Sequence, residues 1–177
     1  MHPAINLGVA IAAAVISYFA FRPHTGWVWR WQRQGQPERV RIEDALKHIY
    51  SLDETGHAGS IDSVAGALEI SRNRAAQLAL QLEQRGLVWT GDEGLRLSDE
   101  GKQYALQVIR THRLWEQYLA EETGVGEEQW HQLADRVEHR MTPAEVDALA
   151  ARMGDPVFDP HGCLLYTSDA ADDTSEV

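Results

Sequence analysis

The chain has 177 residues, 44% of them hydrophobic and 24% charged, which supplies a packed core and excludes wholesale disorder. Its single cysteine excludes a disulfide scaffold and suits a reducing compartment. A formal net charge of -11 argues against a general nucleic-acid coat protein, although that charge is spread unevenly along the chain.

Residues Ala4 to Phe21 read AINLGVAIAAAVISYFAF, 18 positions without a charge. At about 1.5 Å per residue this run makes roughly 27 Å of helix, just enough to cross a bilayer core. Arg22, Arg30, Arg33 and Arg39 follow, interleaved with Trp27, Trp29 and Trp31, and no acidic residue comes before Glu38. An aromatic belt with a positive inner side predicts one transmembrane helix in the cytoplasmic membrane, with everything after residue 22 in the cytoplasm. A secretory signal peptide would need a basic leader, and only Met1, His2 and Pro3 precede the apolar run. A buried core helix is the plainer alternative. Residues 1–36 are therefore read as a membrane anchor with a basic juxtamembrane segment. GQPERVR, with Pro37, is read as a short polar linker.

From Arg41 to Gly162 the composition is that of a globular domain, with 12 Lys and Arg against 22 Asp and Glu. Ile42, Ala45, Leu46, Ile49, Tyr50 and Leu52 form one helical stripe that ends near Thr55-Gly56. Ser60 can cap a short helix over Ile61–Leu68, and Ser71 a further one to about Arg85, where Gly86 supplies a left-handed stop. That third helix turns Ala75, Leu78, Ala79 and Leu82 inward. Arg74, Gln77 and Gln81 lie opposite, with Arg72 and Asn73 in its first turn. Arg, Asn and Gln on an exposed helix after a tight helical turn suit base reading in a major groove, although a merely solvated polar face has the same residue types. Leu87 to Thr90 and Leu95 to Leu97, around Gly91-Asp92-Glu93-Gly94, read as a hairpin. Helix, turn, helix and hairpin follow the winged-helix order, so residues 37–100 are read as a winged helix-turn-helix that binds DNA.

Residues 101–162 are read as a helical domain. Ser98 caps a long helix to about Glu122, on which His112 and Glu116 share a face. A next helix, about Glu127 to Met141, places His131, Asp135, Glu138 and His139 in one stripe two turns long. An amphipathic helix would bury that stripe, and uncompensated buried charge is costly. A divalent cation would neutralise it. No HExxH, no nucleophile with its base and no phosphate-cradling glycine loop is present, so the reading is not an enzyme. Residues 163–177, beginning CLLYTSDAADDTSEV, have no amphipathic period. Cys163 to Asp172 resembles a translated sequencing-library adapter, which implies that the natural chain continues differently after Gly162; Cys163 is left out of the site.

The runs RIEDALKHIYSL, SVAGALEISRNRAAQLALQLEQRGLV, GLRLSDEGKQYA, VIRTHRLWEQYL and WHQLADRVEHRM resemble the diphtheria toxin repressor family of metal-dependent transcriptional regulators, from about Val40 to Gly162. The resemblance implies a mainly α fold, a winged helix-turn-helix followed by a helical metal-binding and dimerisation domain. It further implies a homodimer that binds a palindromic operator when loaded with Fe(II) or Mn(II) and represses metal-uptake genes. Carried over residue by residue, Asp44, Asp135, Glu138 and His139 match the family's primary metal site. His112, Glu116 and His131 match its ancillary site. Iron-responsive members have sulfur ligands where Asp44 and Asp135 stand, which favours Mn(II) over Fe(II) here. The manganese branch has a second carboxylate one turn after Asp44, where this chain has Lys47. Phe158-Asp159-Pro160-His161-Gly162 resembles the family's Cys-Pro-His-Gly segment, with Asp in place of Cys. The apolar N-terminus departs from the family and is similar to metal-uptake permeases that carry such a repressor domain after their last transmembrane helix. A metal-sensing module beside a transporter, with little or no DNA binding, is therefore the alternative function.

Overall fold

The computed structural model describes Tyr18 and residues 37–165. The candidate anchor Ala4–Phe21 and its arginine-tryptophan flank lie, Tyr18 apart, outside the described residues. No helix among the described residues is long and apolar enough to cross a membrane.

The first described helix, α1 (Glu38–Glu54), takes Pro37 as its N-cap residue and absorbs most of the segment read above as a linker. Pro37 has no N–H to leave orphaned, and Glu38 in the first turn complements the positive helix end. After it comes α2 (Ile61–Ala67), closed by a reciprocal box in which the Ser60 hydroxyl accepts from Ser63 N–H and Ser63 Oγ accepts from Ser60 N–H. Ser71 caps α3 (Arg72–Gln84), and Gly86, at φ +72°, ends it in the conformation an L side chain resists. The hairpin follows as β1 (Val88–Gly91) and β2 (Gly94–Leu97), antiparallel, with Val88 opposite Leu97 and Gly91 opposite Gly94. Leu95 also bridges back to Gly59, which fastens the hairpin to the loop ahead of α2.

Ser98 caps the long α4 (Asp99–Glu122). Its first turn runs so close to the end of α3 that a Cβ on Gly101 would lie 1.9 Å from the Leu87 carbonyl oxygen. Two shorter helices, α5 (Glu127–Val137) and α6 (Pro143–Arg152), follow among the described residues. The sequence reading extends α5 to Met141; the helix instead ends at Val137, and Glu138 to Arg140 form a turn. The reading also omits α6, which Thr142 and Glu145 cap reciprocally with Pro143 at its first position.

Two hydrophobic clusters lie along α4. The first joins Ile42, Leu46 and Ile49 of α1 to Val64 of α2, Leu78 and Leu82 of α3, the hairpin residues Val88 and Leu95, and Ala105. Each large aliphatic side chain buried there contributes about 1.5–3 kcal/mol. The second packs Leu114 against Val146, Leu149 and Ala150 of α6 and against Leu165. Leu165 is only 3% exposed, its N–H donates to the Val157 carbonyl, and Arg113 Nη1 donates to the Leu164 carbonyl. The beginning of the segment set apart above as a non-native tail is thus packed on the helical domain. Between the two clusters, α1, α4 and the end of α5 meet, and there the charged residues collect.

Candidate metal centre

Glu138 sits at the centre of this junction. As the C-cap residue of α5 it keeps helical φ and ψ, so its side chain still points inward although the helix has ended. Its carboxylate is 3% exposed as a residue and meets three cationic groups. His112 Nδ1 donates to Oε2 at 2.6 Å, Lys47 Nζ donates to Oε1 at 2.8 Å, and His139 Nε2 lies 3.2 Å from Oε1.

His139 faces two carboxylates from α1. Its Nδ1 donates to Glu43 Oε2 at 2.6 Å, and its Nε2 lies 3.3 Å from Asp44 Oδ1. Glu43 is 1% exposed and also accepts from Arg39 Nε at 2.6 Å and from the Tyr104 hydroxyl at 2.8 Å. Sequence reasoning missed Glu43, a buried carboxylate in the middle of the apolar stripe of α1. Its signal was available: a charge at a core position must have partners.

Three groups of donors could each hold a cation, with one ligand atom per residue and all such atoms within 4.8 Å of one another. Asp44, Glu138 and His139 form the first. His112, Glu116 and His131 form the second. His112, Asp135 and Glu138 form the third. Asp135 therefore gathers with His112 and Glu138 rather than with Asp44 and His139, because it lies three residues before Glu138 on an exposed part of α5. Its side chain is 46% exposed, and its oxygens lie 3.4 Å from His112 Nδ1 and 3.8 Å from His131 Nε2. The stripe read as uniformly buried is half exposed for the same reason. His131 and Asp135 face solvent, while Glu138 and His139 turn under α1.

His112 belongs to two groups through its two nitrogens. While Nδ1 binds Glu138, Nε2 faces Glu116 Oε1 at 3.1 Å and His131 Nδ1 at 3.0 Å. A neutral imidazole offers one lone pair, so His112 can ligate in one group at a time. Exposed His161 reaches the second group from outside, 3.9 Å from Glu116 Oε2. Buried Asp159 holds that loop by accepting from the backbone N–H groups of His161 and Cys163.

The electrostatics are those of a site closed on itself. Burial alone would lower the pKa of His112, but the Glu116 and Glu138 carboxylates outweigh it and raise it to about 9. His139 behaves alike: burial is outweighed by Asp44, Glu43 and Glu138, and its pKa rises to about 9. Burial would raise the Glu138 carboxyl, yet His112 and Lys47 hold it below the usual range. Glu43 and Glu116 are likewise pulled down against burial, by His139 and Arg39 in one case and by His112 and His131 in the other. The donor set nevertheless fits a divalent cation. With Nδ1 of His139 engaged by Glu43, its Nε2 points at the two carboxylates, the carboxylate–histidine arrangement that orients ligating imidazoles.

The DNA-reading candidates all lie on α3, which contributes no residue to these donor groups. Arg72, Asn73 and Gln77 are exposed, whereas Arg74 and Gln81 are half-buried. Arg72 pairs with Asp62 of α2 at 3.1 Å.

Residues 98–164 match the family model described as the iron dependent repressor, metal binding and dimerisation domain. The iron-dependent repressor IdeR of Mycobacterium tuberculosis is 32% identical over 118 residues, which covers 66% of this chain and 51% of that protein. A probable metal transport system membrane protein of Chlamydia trachomatis is 33% identical over 78 residues, or 44% of this chain and 17% of that protein. The solved structure of the manganese regulator SloR superposes with a TM-score of 0.64 at 27% identity, over 71% of this chain and 59% of that chain. The chain thus spans about half the length of the repressor it matches. Its fold is mainly helical and resembles that of metal-dependent repressors, and its homologues include iron- and manganese-dependent transcriptional repressors, not enzymes.

Proposed function

We propose that this chain is a metal-activated transcriptional repressor of metal-uptake genes, in which α2 and α3 act as a helix-turn-helix and the β1–β2 hairpin as its wing. The observation that carries the reading is the meeting of Asp44, from the helix packed against α3, with Glu138 and His139, from the far end of α5. A divalent cation bound there supplies positive charge in place of the histidine protons and a link between the two halves of the molecule. Asp44 brings α1 to that link, Glu43 orients His139 for it, and α1 transmits its position to α3 through the shared core. The recognition helices of a homodimer would then stand at the spacing of successive major grooves on a palindromic operator. Arg72, Asn73, Arg74, Gln77 and Gln81 would face the DNA, Arg72 exchanging the exposed Asp62 for a phosphate.

The oxygen-rich donors Asp44 and Glu138 support Mn(II) ahead of Fe(II) at the first group, with His112, Glu116 and His131 as an ancillary site and Asp135 at the border of the two. Selection of duplexes from a random pool in Mn(II) and in EDTA tests the whole reading. A palindromic site enriched only with metal, lost in the Arg74→Ala/Gln77→Ala variant that still binds Mn(II), is the expected outcome. Unchanged operator affinity in that double variant counts against it.

A second reading is favoured by the stretch shared with metal transport membrane proteins of two Chlamydia species, and by the apolar segment Ala4–Phe21. Here the chain is a metal-sensing module held at the cytoplasmic membrane by one N-terminal helix, beside a transporter, with little DNA affinity. Fractionation of cells together with the selection experiment separates the two. Mn(II) binding and membrane association without an enriched duplex support this second reading, and an enriched palindrome excludes it.

A further inference from the structure

Among the described residues, Lys47 is a cation set against the first donor group that no reading of that group requires. It follows Asp44 by three residues, so the two side chains leave α1 on one face. Its ammonium lies 2.8 Å from Oε1 and 3.1 Å from Oε2 of Glu138, and 3.9 Å from Asp135 Oδ1. It therefore engages both oxygens of a carboxylate that is 1% exposed at its side chain. Oε1 is also the atom nearest His139 Nε2, the nitrogen available with Asp44 to a cation. An ammonium has three donors and no lone pair, so it cannot join a ligand shell and can only occupy its place. Lys47 itself is a quarter exposed and lines an open cleft of about 270 Å³ with Asp44, His48, Asp135 and His139. Its four-carbon stem gives it room to leave.

We propose that Lys47 is a tethered competitor for the metal position: its ammonium holds Glu138 in the metal-free chain, and Glu138 becomes a ligand only once Lys47 has swung into the cleft. The inference rests on the metal-site reading above. It makes Lys47 a residue that sets metal affinity without touching the metal. It also means that α1 and the end of α5 stay joined by Lys47 and Glu138 when no metal is present.

The test uses the full chain in a His131→Ala background, which removes the second donor group from the titration. Mn(II) is titrated by calorimetry into this parent, Lys47→Met and Lys47→Arg, and thermal unfolding is recorded in EDTA. Lys47→Met is expected to bind Mn(II) about tenfold more tightly, ~1.4 kcal/mol, and Lys47→Arg to show no such gain. In EDTA, Lys47→Met is expected to unfold at a lower temperature than the parent, because Glu138 loses a partner. Lys47→Gln replaces Lys47→Met if circular dichroism shows that the latter does not fold. Equal or weaker Mn(II) binding in the neutral variant overturns the proposal and leaves the metal-site reading intact. An equal gain in Lys47→Arg also overturns it, by assigning the effect to shape rather than charge. No Mn(II) binding in any of the chains overturns both.

Discussion

At the scale of single residues, the junction is decided by which atom of each imidazole is already engaged. Glu43 takes Nδ1 of His139 and leaves Nε2 toward Asp44 and Glu138. Glu43→Gln is therefore expected to weaken Mn(II) binding by about 10–100-fold while leaving the helical content unchanged, as calorimetry beside circular dichroism would show. The same protons make metal binding pH-dependent. His112 and His139 titrate near pH 9 in the folded chain, so a metal taking their place must release protons. Mn(II) affinity is expected to rise as pH goes from 6.5 toward 9, and titrations in buffers of different ionisation enthalpy should report the proton release. The stability of the metal-free fold is expected to follow the opposite trend. Both pKa values are raised above the ordinary 6.5, so their stabilising contribution is complete below pH 6.5 and is lost as pH rises through about 9. Thermal unfolding in EDTA is expected to fall to lower temperature across that window, and Glu138→Gln should flatten the dependence.

At the scale of elements, polar caps and close approaches set where the helices stop and how they meet. The cap Ser71, the stop Gly86 and the cap Ser98 are local signals, and the helices they bound begin and end where such residues stand. The end of α5 is different. No glycine or proline lies between Glu127 and Met141, so sequence periodicity runs on, yet the helix stops at Val137. Arg140 N–H bonds the Val137 carbonyl, and His139 turns beneath α1 to reach Glu43, a partner 96 residues away that no local pattern reveals. Gly101 shows the complementary case of a small residue demanded by a distant backbone. Gly101→Ala would drive a methyl against the Leu87 carbonyl and is expected to cost about 1–3 kcal/mol, read as a lower denaturant midpoint with an unchanged slope.

At the scale of the whole molecule, the two hydrophobic clusters along α4 are joined at the charged junction of α1, α4 and the end of α5. A ligand that binds only the folded chain stabilises it by mass action, about 2.7 kcal/mol at a hundredfold excess over Kd. Mn(II) is therefore expected to raise the unfolding temperature of the parent, and to raise that of Asp44→Ala much less, because Asp44 alone brings α1 into the first group. Scanning calorimetry with and without metal checks this. If only the second group bound metal, the two chains would shift alike.

The core stripe of α1, the helices α2 to α4 with their caps Ser60, Ser71 and Ser98, and the clustering of acids and histidines in the second half of the chain were legible because each depends on residues three or four apart, whereas α6 and its Thr142 cap were missed. The resemblance of short ordered motifs added Asp44 to that set, which no spacing within the second half could supply. Tertiary structure alone decided the rest: that buried Glu43 serves His139, that Asp135 sides with His112, and that Lys47 stands on Glu138. Those pairings join residues between 23 and 96 positions apart, and they follow from packing α1 against α4 and α5, where desolvation forces every charge to find an opposite one.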